Sequence, residues 1–169
     1  MNRLNLGSGG LPLEGYTNVD ISSHSPKVDI VYDLNKFPWP FDDNWADEIA
    51  MSQCLEHLDD RNGAMQEIYR ILRPGGMAKI SVPHFTWQFA YADPTHKHFF
   101  AHMTFFYYAG RGGYFDFCFS DCKVKITFGK TLSIWNYVIE PLANLFPNIY
   151  EQSIFRMFPA VSVDAVLTK

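Results

Sequence analysis

The chain has 169 residues, of which 47% are hydrophobic and 19% are charged, and it shows no low-complexity tract and no internal repeat. This length suits one domain with its own core, so we expect residues 1–169 to form a single domain. The net charge is -4 and the basic residues are scattered, so nucleic acid is not a favoured partner.

Cysteine usage and hydropathy indicate where the protein works. There are three cysteines, an odd number, and the first residues lack a basic segment followed by an apolar one. A secreted protein built on disulfides is therefore not expected, and the expected location is cytoplasmic. No uncharged apolar run reaches about 18 residues, so no transmembrane segment is expected. Aromatic residues make up 17% of the chain and concentrate in its second half, which predicts an aromatic core, an apolar pocket or an interface there.

A short apolar strand, a glycine turn and a second strand open the chain. Residues 4–10 read Leu-Asn-Leu-Gly-Ser-Gly-Gly, and the second strand carries Asp20 between Val19 and Ile21. Glycines let the backbone turn sharply and bring N–H groups close to a ligand, and a carboxylate on the next strand can accept hydrogen bonds from ribose hydroxyls. The pattern predicts a nucleotide-cofactor site, although on its own it also fits a plain strand-ending turn.

The rest of the first half alternates between strands and one helix. In chain order it comprises a strand over 28–34, an extended connector over 35–44, a strand over 46–52, a helix between 59 and 74, and a strand over 77–82. Asp59 or Asp60 can cap the helix, and the Pro74-Gly75-Gly76 sequence ends it. A strand, a helix and a strand joined by short turns form a right-handed crossover, so the sheet is predicted to be parallel.

Residues that suit ligand binding follow the ends of these predicted strands. They are Gly7, Asp20, Asp33, residues 53–57 and His84. Parallel sheets bind ligands at the carboxyl ends of their strands, so these residues are expected to meet at one edge. Their convergence favours a cofactor site over a set of unrelated turns.

The motifs resemble those of the class I, Rossmann-like S-adenosylmethionine-dependent methyltransferases, and within them the small type 11 group. The resemblance covers residues 3–84 and rests on Leu4-Asn5-Leu6-Gly7-Ser8-Gly9, Asn18-Val19-Asp20, Asp33-Leu34, Ser52-Gln53-Cys54-Leu55-Glu56-His57-Leu58, and Glu67 with Leu72-Arg73-Pro74-Gly75-Gly76. It implies a Rossmann-like α/β fold, S-adenosylmethionine as the cofactor, and methyl transfer as the reaction.

The resemblance also implies roles for individual residues. Gly7 and Gly9 would approach the methionine part of the cofactor, Asp20 would hold the ribose, and Asp33 and Leu34 would border adenine. The full expected cofactor-binding set is Gly7, Ser8, Gly9, Asp20, Ile21, Asp33, Leu34, Gln53, Cys54 and Leu55, of which the last three line the side nearest the sulfonium.

Spacing favours this cofactor over a dinucleotide. NAD or FAD requires a helix N-terminus for its pyrophosphate and an acidic residue about 20 residues further on. Here Asp20 follows Gly9 by eleven residues, and residues 11–16 hold no more than about one turn of helix. Trimmed helices after strands one and two leave one face of the sheet poorly covered, so we expect the C-terminal segment or a partner subunit to cover it.

The second half, residues 85–169, is expected to build the acceptor side and complete the sheet. Residues 93–100 form a polar loop with two histidines set among aromatic residues, and a helix is predicted over about 101–109. The loop fits an acceptor pocket, and equally a capping loop held by hydrogen bonds of Asp93 and His96.

Methyl transfer by in-line displacement requires alignment of donor and acceptor more than it requires a base. Where the acceptor loses a proton, His57, His84 and His96 are the candidate catalytic bases by position, although a histidine at a strand end is often a structural residue. No metal site is expected, because the Cys54-to-His57 and His96-to-His98 spacings match no standard zinc pattern.

Two segments with alternating polarity, residues 122–128 and 161–167, are predicted to pair as antiparallel strands at one edge of the sheet. Between them lies an apolar helical stripe, residues 132–146, which is interrupted by Pro141. The stripe fits core packing or a homodimer interface, and the scarcity of basic flanking residues does not favour a membrane surface.

The sequence therefore predicts an α/β, Rossmann-like, mostly parallel sheet with an antiparallel edge strand, in which residues 3–84 bind the cofactor. The predicted function is S-adenosylmethionine-dependent methyl transfer to a small-molecule acceptor whose identity the sequence does not define. Two alternatives stay open. One is a catalytically silent domain that binds the cofactor for regulation or scaffolding, and the other is a nucleotide-sugar or dinucleotide enzyme, which Asp20 and the short glycine turn disfavour.

Overall fold

The computed structural model describes residues 1–24, 27–130 and 134–169, and one seven-stranded sheet forms its centre. The strands are β1 (Arg3–Leu6), β2 (Thr17–Asp20), β3 (Ile30–Val31), β4 (Ala46–Ser52), β5 (Leu72–Pro83), β6 (Asp121–Thr127) and β7 (Ser162–Thr168). The α-helices of the described residues are α1 (Arg61–Ile71), α2 (Phe89–Ala92), α3 (Asn136–Leu145) and α4 (Pro147–Gln152). Short 3-10 segments cover Leu55–His57, His102–Tyr107, Arg111–Gly113 and Ile154–Met157.

The strand order is β3-β2-β1-β4-β5-β7-β6. The first five strands in this order run parallel, and β7 pairs antiparallel with both β5 and β6. The chain therefore reverses its direction of travel across the sheet between β1 and β4, and open parallel sheets bind ligands at such a switch point. The predicted Rossmann-like fold with an antiparallel edge is confirmed, including the pairing of the two C-terminal strands.

The two faces of the sheet differ in polarity, because side chains alternate along each strand. One face is buried and apolar, with Leu4, Leu6, Val19, Ile49, Met51, Ile80, Val82, Val163, Ala165 and Leu167. The other face carries Asn5, Asn18, Glu48, Ala50, Lys79, Ser81 and Asp164. Within the described residues, no helix separates β1 from β2 or β2 from β3, as the trimmed pattern predicted. Several of the polar side chains on this face are buried and pair with one another. Asn5 donates a hydrogen bond to the Asn18 side chain at 2.9 Å. Lys79 forms an ion pair with the buried Glu48 at 2.7 Å.

Helix α1 forms the crossover between β4 and β5. Its cap is Asp60, whose carboxylate accepts a hydrogen bond from the Gly63 N–H at 2.9 Å. Its buried residues, which include Ile68 and Ile71, pack into the apolar core. The chain enters β5 directly at Leu72, and a φ of +78° at Gly75 permits the change of direction early in that strand.

Three elements differ from the sequence prediction. β5 begins at Leu72, which pairs with Ala46, instead of at residue 77, so α1 ends at Ile71 and residues 74–76 lie inside the strand. The third strand covers only Ile30–Val31 instead of 28–34, because the Asp33 carboxylate accepts the Asn35 N–H at 3.1 Å and turns the chain away from the sheet. Residues 101–109 contain a 3-10 segment instead of an α-helix. The buried rings of Phe105 and Tyr108 stand three residues apart, which suits the repeat of a 3-10 turn.

The C-terminal helices protect the outer edge of the sheet. The Asn144 side chain of α3 accepts a hydrogen bond from the Ile126 N–H and donates one to the Ile126 carbonyl, both at 2.7 Å. Edge strands need such cover, since their free backbone groups otherwise pair with other chains. The segment thus covers the edge of β6. Residues 132 and 133 of the predicted apolar stripe lie outside the described residues.

Candidate functional site

The glycine turn lies at the carboxyl end of β1 and packs against Cys54, two residues after the end of β4. Gly7 has a φ of +67°, and a Cβ atom there would lie 2.3 Å from the Cys54 sulfur. Glycine alone meets both constraints, because it tolerates positive φ and has no Cβ. The N–H groups of Gly7 and Ser8 both donate to the Val19 carbonyl, at 2.9 and 3.0 Å. The ends of β1, β2 and β4 therefore meet at this turn.

Asp20, the last residue of β2, holds the same turn through its carboxylate. One oxygen accepts the Gly9 N–H at 2.7 Å, and the other accepts the Ser22 N–H at 2.9 Å. A carboxylate offers about four lone-pair positions, so Asp20 retains capacity to accept hydrogen bonds from ligand hydroxyls. The structure thus joins the two parts of the motif, the glycines and the acidic residue, in one hydrogen-bonded unit.

The surface above the turn is open and carries groups that suit a ligand. No atom lies within 4 Å of a Cβ built on Gly9 or Gly10. The Ser8 hydroxyl is buried and has no hydrogen-bond partner among the described residues, whereas the Ile21 side chain is 66% exposed. Buried polar groups are normally paired, so an unpaired hydroxyl beside bare backbone fits the edge of a ligand site. These residues fit a cofactor that needs no phosphate cradle.

The two residues expected near adenine have different environments. The Tyr32 N–H donates to the Asp20 carbonyl at 2.9 Å, which brings this segment next to β2. The Asp33 side chain is half-buried and available at the surface, but Leu34 is buried in the apolar core. Of the two predicted residues, Asp33 is therefore the one whose side chain can contact a ligand.

The segment after β4 begins with a strained residue. Gln53 has a φ of +50° and an exposed side chain, and its N–H donates to the Ser81 carbonyl at 2.8 Å. The left-handed conformation costs a residue other than glycine about 1–2 kcal/mol. Such strain concentrates at ligand-binding sites, where the surrounding structure maintains it. Gln53 therefore fits the role that the sequence predicted for it, beside the glycine turn.

The next two residues face the protein rather than solvent. Leu55 is fully buried in the apolar core, so its side chain shapes the site without lining it. Burial, together with the carboxylates of Glu56 and Asp20, raises the pKa of the Cys54 thiol to about 12. Cys54 is therefore a neutral thiol at pH 7 and is not a nucleophile.

A carboxylate and two histidines meet beside this segment. Each of Glu56, His57 and His96 contributes one possible ligand atom, and these three atoms lie within 4.8 Å of one another. The ring centroids of the two histidines are 4.7 Å apart. Glu56 is fully buried, and burial raises its pKa to about 7. Burial also lowers the pKa of His57, with a further contribution from His96, so the neutral imidazole is favoured.

The loop that follows β5 orients both rings. The Thr95 hydroxyl lies 2.9 Å from His57 Nδ1, and His96 Nδ1 lies 3.1 Å from the Ala90 carbonyl. The Asp93 carboxylate accepts the Thr95 N–H at 2.8 Å, so the loop does cap itself as one of the two sequence hypotheses held. The same hydrogen bonds present His57 and His96 to each other, so the capping role and a site role are compatible.

His84, the third candidate base, is held by other residues. Its ring is fully buried, with Nδ1 2.8 Å from the Thr86 hydroxyl and Nε2 3.1 Å from a Glu151 oxygen. Both nitrogens have protein partners, which is typical of a structural histidine. The structure thus brings together two of the three predicted histidines and gives the third a different environment.

Sequence reasoning did not single out Glu56 as a site residue. Its only signal was its position directly before His57 in the motif after β4. A glutamate in a short 3-10 segment is ordinarily exposed, and the complete burial of this one is visible only in the fold.

Comparison with known proteins agrees with this geometry. Residues 13–80 match the type 11 methyltransferase domain family, a range that contains Asp20, Asp33 and the motif after β4. A curated protein of Mycolicibacterium smegmatis, named "Probable S-adenosylmethionine-dependent methyltransferase", is 35% identical over 75 residues, which are 44% of this chain and 28% of that protein. The resemblance to class I, type 11 methyltransferases is confirmed. The chain spans less than a third of that curated relative.

Solved structures of methyltransferases share the fold of this chain. A SAM-dependent methyltransferase from Archaeoglobus fulgidus superposes with a TM-score of 0.65 and 18% identity, over 99% of this chain and 86% of that one. A Thermotoga maritima protein, titled "SAM-dependent methyltransferase, possible histamine N-methyltransferase", superposes with a TM-score of 0.64 and 18% identity, over 99% of this chain and 81% of that one. The family cofactor is S-adenosylmethionine, as the resemblance implied. No helix among the described residues is long and apolar enough to cross a membrane.

Proposed function

We propose that this domain binds S-adenosylmethionine where β1, β2 and β4 end and transfers the methyl group to a small-molecule acceptor. The observation that carries the proposal is the meeting of the glycine turn, Asp20 and Cys54 at one edge of the sheet, next to the switch point between β1 and β4. The family match over residues 13–80 supports the reaction class.

The proposed cofactor contacts come from three strand ends. The open backbone at Gly7 and Gly9 would face the methionine part, with the unpaired Ser8 hydroxyl beside it. Asp20 would accept hydrogen bonds from ribose hydroxyls through the lone pairs that Gly9 and Ser22 leave free. Ile21 and Asp33 would flank adenine, and their exposure suits that role.

S-adenosylmethionine supplies a methyl group on a positively charged sulfur, and its transfer leaves S-adenosylhomocysteine. The bond from the methyl carbon to sulfur breaks as its bond to an acceptor oxygen, nitrogen or carbon forms, so in-line alignment is the main requirement. Gln53 and Cys54 would border this region. Because the pKa of the Cys54 thiol is raised to about 12, no thiolate competes with the acceptor for the methyl group.

An acceptor hydroxyl or ammonium must also lose a proton. His57 or His96 would take it, since the two rings lie together and the neutral form of His57 is favoured. His84 is enclosed by Thr86 and Glu151, so we do not assign it this role.

The surroundings of the histidines favour a small or partly apolar acceptor. Aromatic side chains near the 93–96 loop are exposed, among them Phe89, Tyr91 and Phe99. The rings of Tyr91 and Phe99 stack with centroids 4.6 Å apart, which gives a rigid apolar wall. Such walls suit small organic ligands.

The test is titration calorimetry of the full chain with S-adenosylmethionine, S-adenosylhomocysteine and NAD. We expect binding of both sulfur compounds and none of NAD. Asp20→Ala should weaken binding at least about tenfold, because it removes the acceptor of the ribose hydroxyls and of the Gly9 N–H. Asp116→Ala, a change at an exposed carboxylate outside the site, serves as the control.

Two outcomes would contradict the proposal: no binding of either sulfur compound, or equal affinity in the wild type and Asp20→Ala. Binding without methyl transfer to any acceptor in a broad screen would instead support the alternative of a silent, regulatory domain.

The proposal includes a homodimer formed through the C-terminal helices. Large apolar side chains that are more than half exposed on α3, on α4, between them and on the 3-10 segment after them include Val138, Leu142, Leu145, Phe146, Ile149, Ile154, Phe155 and Met157. A groove between them is floored by Ile139, Ala143 and Tyr150. Contiguous exposed apolar surface marks a contact site, and a second copy of the chain would cover it.

The proposed location is the cytoplasm. All three cysteines are free, and Cys118 is exposed. Free thiols persist in a reducing compartment, where disulfides are rare.

A further inference from the structure

We propose that Glu56, His57 and His96 bind one divalent transition-metal ion, such as Zn²⁺. Two imidazoles and one carboxylate form the protein donor set of many metal sites that keep further coordination positions open. One ligand atom from each of the three residues lies within 4.8 Å of the other two. Small side-chain rotations would bring each donor to the metal–ligand distance of about 2.0–2.2 Å.

The environment of Glu56 gives the strongest reason. The residue is 0% exposed, and neither carboxylate oxygen has a hydrogen-bond partner among the described residues. The charged group that influences it most is Asp93, which carries the same sign. Buried carboxylates are normally paired or coordinate a metal ion, because an isolated one is costly to keep out of water. A divalent cation would satisfy both oxygens at once.

The hydrogen bonds of the two histidines point to the same role. In each ring Nδ1 already has an oxygen partner, the Thr95 hydroxyl for His57 and the Ala90 carbonyl for His96. This leaves Nε2 of each ring as the metal-binding nitrogen. Histidines that ligate metals almost always use their second nitrogen in this way, which fixes the tautomer and the ring orientation.

Asp93 extends the arrangement outward. Its carboxylate accepts a hydrogen bond from the Thr95 hydroxyl at 2.6 Å, and its other oxygen lies 3.9 Å from His96 Nε2. That oxygen is placed to become a fourth ligand or to accept a hydrogen bond from a metal-bound water. The ligands come from two different loops, one after β4 and one after β5, so no local spacing in the sequence reveals them.

A metal ion here would change how the acceptor is activated, a role that rests on the proposed function. An acceptor oxygen or nitrogen in an open coordination position would lose its proton more easily. While Nε2 of His57 or His96 binds the metal ion, the same nitrogen cannot act as the base, because its lone pair is not available to a proton. Metal binding itself does not depend on methyl transfer and is tested alone.

The experiment is calorimetric titration of the chelator-treated full chain with Zn²⁺ at pH 7.5, with Co²⁺ absorption spectra as a second readout of coordination. We expect one ion per chain. Glu56→Gln, His57→Gln and His96→Gln should each weaken binding more than about 100-fold, since loss of an outer-shell partner alone typically costs about 10–100-fold. Thr95→Val, which removes only the partner of His57 Nδ1, should fall in that lower range.

His24→Gln is the control for adventitious binding, because this histidine is exposed and outside the cluster. Near-UV circular dichroism reports whether each variant folds. If Glu56→Gln does not fold, the Zn²⁺ affinity of His96→Gln, a change in the 93–96 loop, is used to test the site. No binding of Zn²⁺ by the wild type would overturn the proposal, as would wild-type affinity in the three ligand variants or an equal loss in His24→Gln. Titration with S-adenosylhomocysteine keeps a failure of this site distinct from a failure of the cofactor site.

Discussion

Two structural features require glycine at position 7: the positive φ of its backbone and the close approach of Cys54. Gly7→Ala places a Cβ 2.3 Å from the Cys54 sulfur and holds an alanine at a φ of +67°. We expect the free energy of unfolding to fall by at least about 2 kcal/mol, from the left-handed backbone and the overpacking together. Urea denaturation measures the change. Gly10→Ala is the matched control, because no atom lies within 4 Å of the new Cβ, and an equal loss in both variants would contradict this account.

Individual residues differ in how far the sequence predicts their role. Gly7 and Asp20 carry local signals, a turn residue and a strand-end acid, and the structure joins them by the bond from Gly9 to Asp20. Glu56 and His96 stand forty positions apart, and only the packing of two loops brings them together. Leu34 and Leu55 matched family motifs, but the burial of their side chains depends on the whole core. The sequence therefore predicts the chemical role of residues with local signals, but it does not predict which side chains are buried.

At the scale of elements, the Glu140 carboxylate links α3 to β6 and to the segment that follows it, in addition to the hydrogen bonds of Asn144. Glu140 is buried, and its oxygens accept hydrogen bonds from the Phe128 N–H at 3.0 Å and from Lys130 at 3.1 Å, with Lys125 at 3.3 Å. Burial acts to raise the pKa of Glu140, but these bonds together outweigh it and lower the pKa below its ordinary value. The ionised form therefore stabilises the folded state.

Glu140→Gln should lower the free energy of unfolding by about 1–2 kcal/mol at pH 7. Because the folded-state pKa is depressed, this stabilisation is complete above the unfolded pKa of about 4.3 and disappears as pH falls through the folded value. Thermal unfolding at pH 7 and pH 3 tests this, and the difference in stability between the two proteins should be smaller at the lower pH. Asp121→Asn, in an exposed pair with Lys123, should change stability by less than about 0.5 kcal/mol.

Element boundaries follow the same distinction between local and distant causes. β4 and the start of α1 match prediction because apolar periodicity and the Asp60 cap specify them locally. The alternating polarity of β6 and β7 is also local, although their pairing joins distant parts of the chain. The third strand is shorter than predicted because an Asp33 turn ends it, and a 3-10 turn replaces the helix at 101–109 because two aromatic rings enter the core there. In both places a tertiary or turn-specific contact overrides the propensity of the segment.

At the scale of the whole molecule, the chain keeps a parallel sheet with fewer helices than such sheets usually have. Polar residues such as Lys79, Ser81 and Asp164 make that arrangement stable on the face where the helices are trimmed. Asp164 accepts hydrogen bonds from Ser81 of β5 and Ser162 of β7, so this face is crosslinked by side chains. Many of the exposed apolar side chains of the described residues lie on α3, on α4 and on the 3-10 segment that follows α4, beside the protected edge of β6.

This distribution predicts which surface a second copy covers. Leu142 is 52% exposed on α3, and Leu11 is 80% exposed near the trimmed side of the sheet. If the C-terminal helices form the interface, Leu142→Lys should shift the wild-type dimer to a monomer in sedimentation equilibrium, because it places a charge in an apolar contact. Leu11→Lys should leave the dimer intact. The reverse pattern would move the interface to the sheet, and a wild type that stays monomeric at every concentration would show that one copy of the chain tolerates this apolar surface in water.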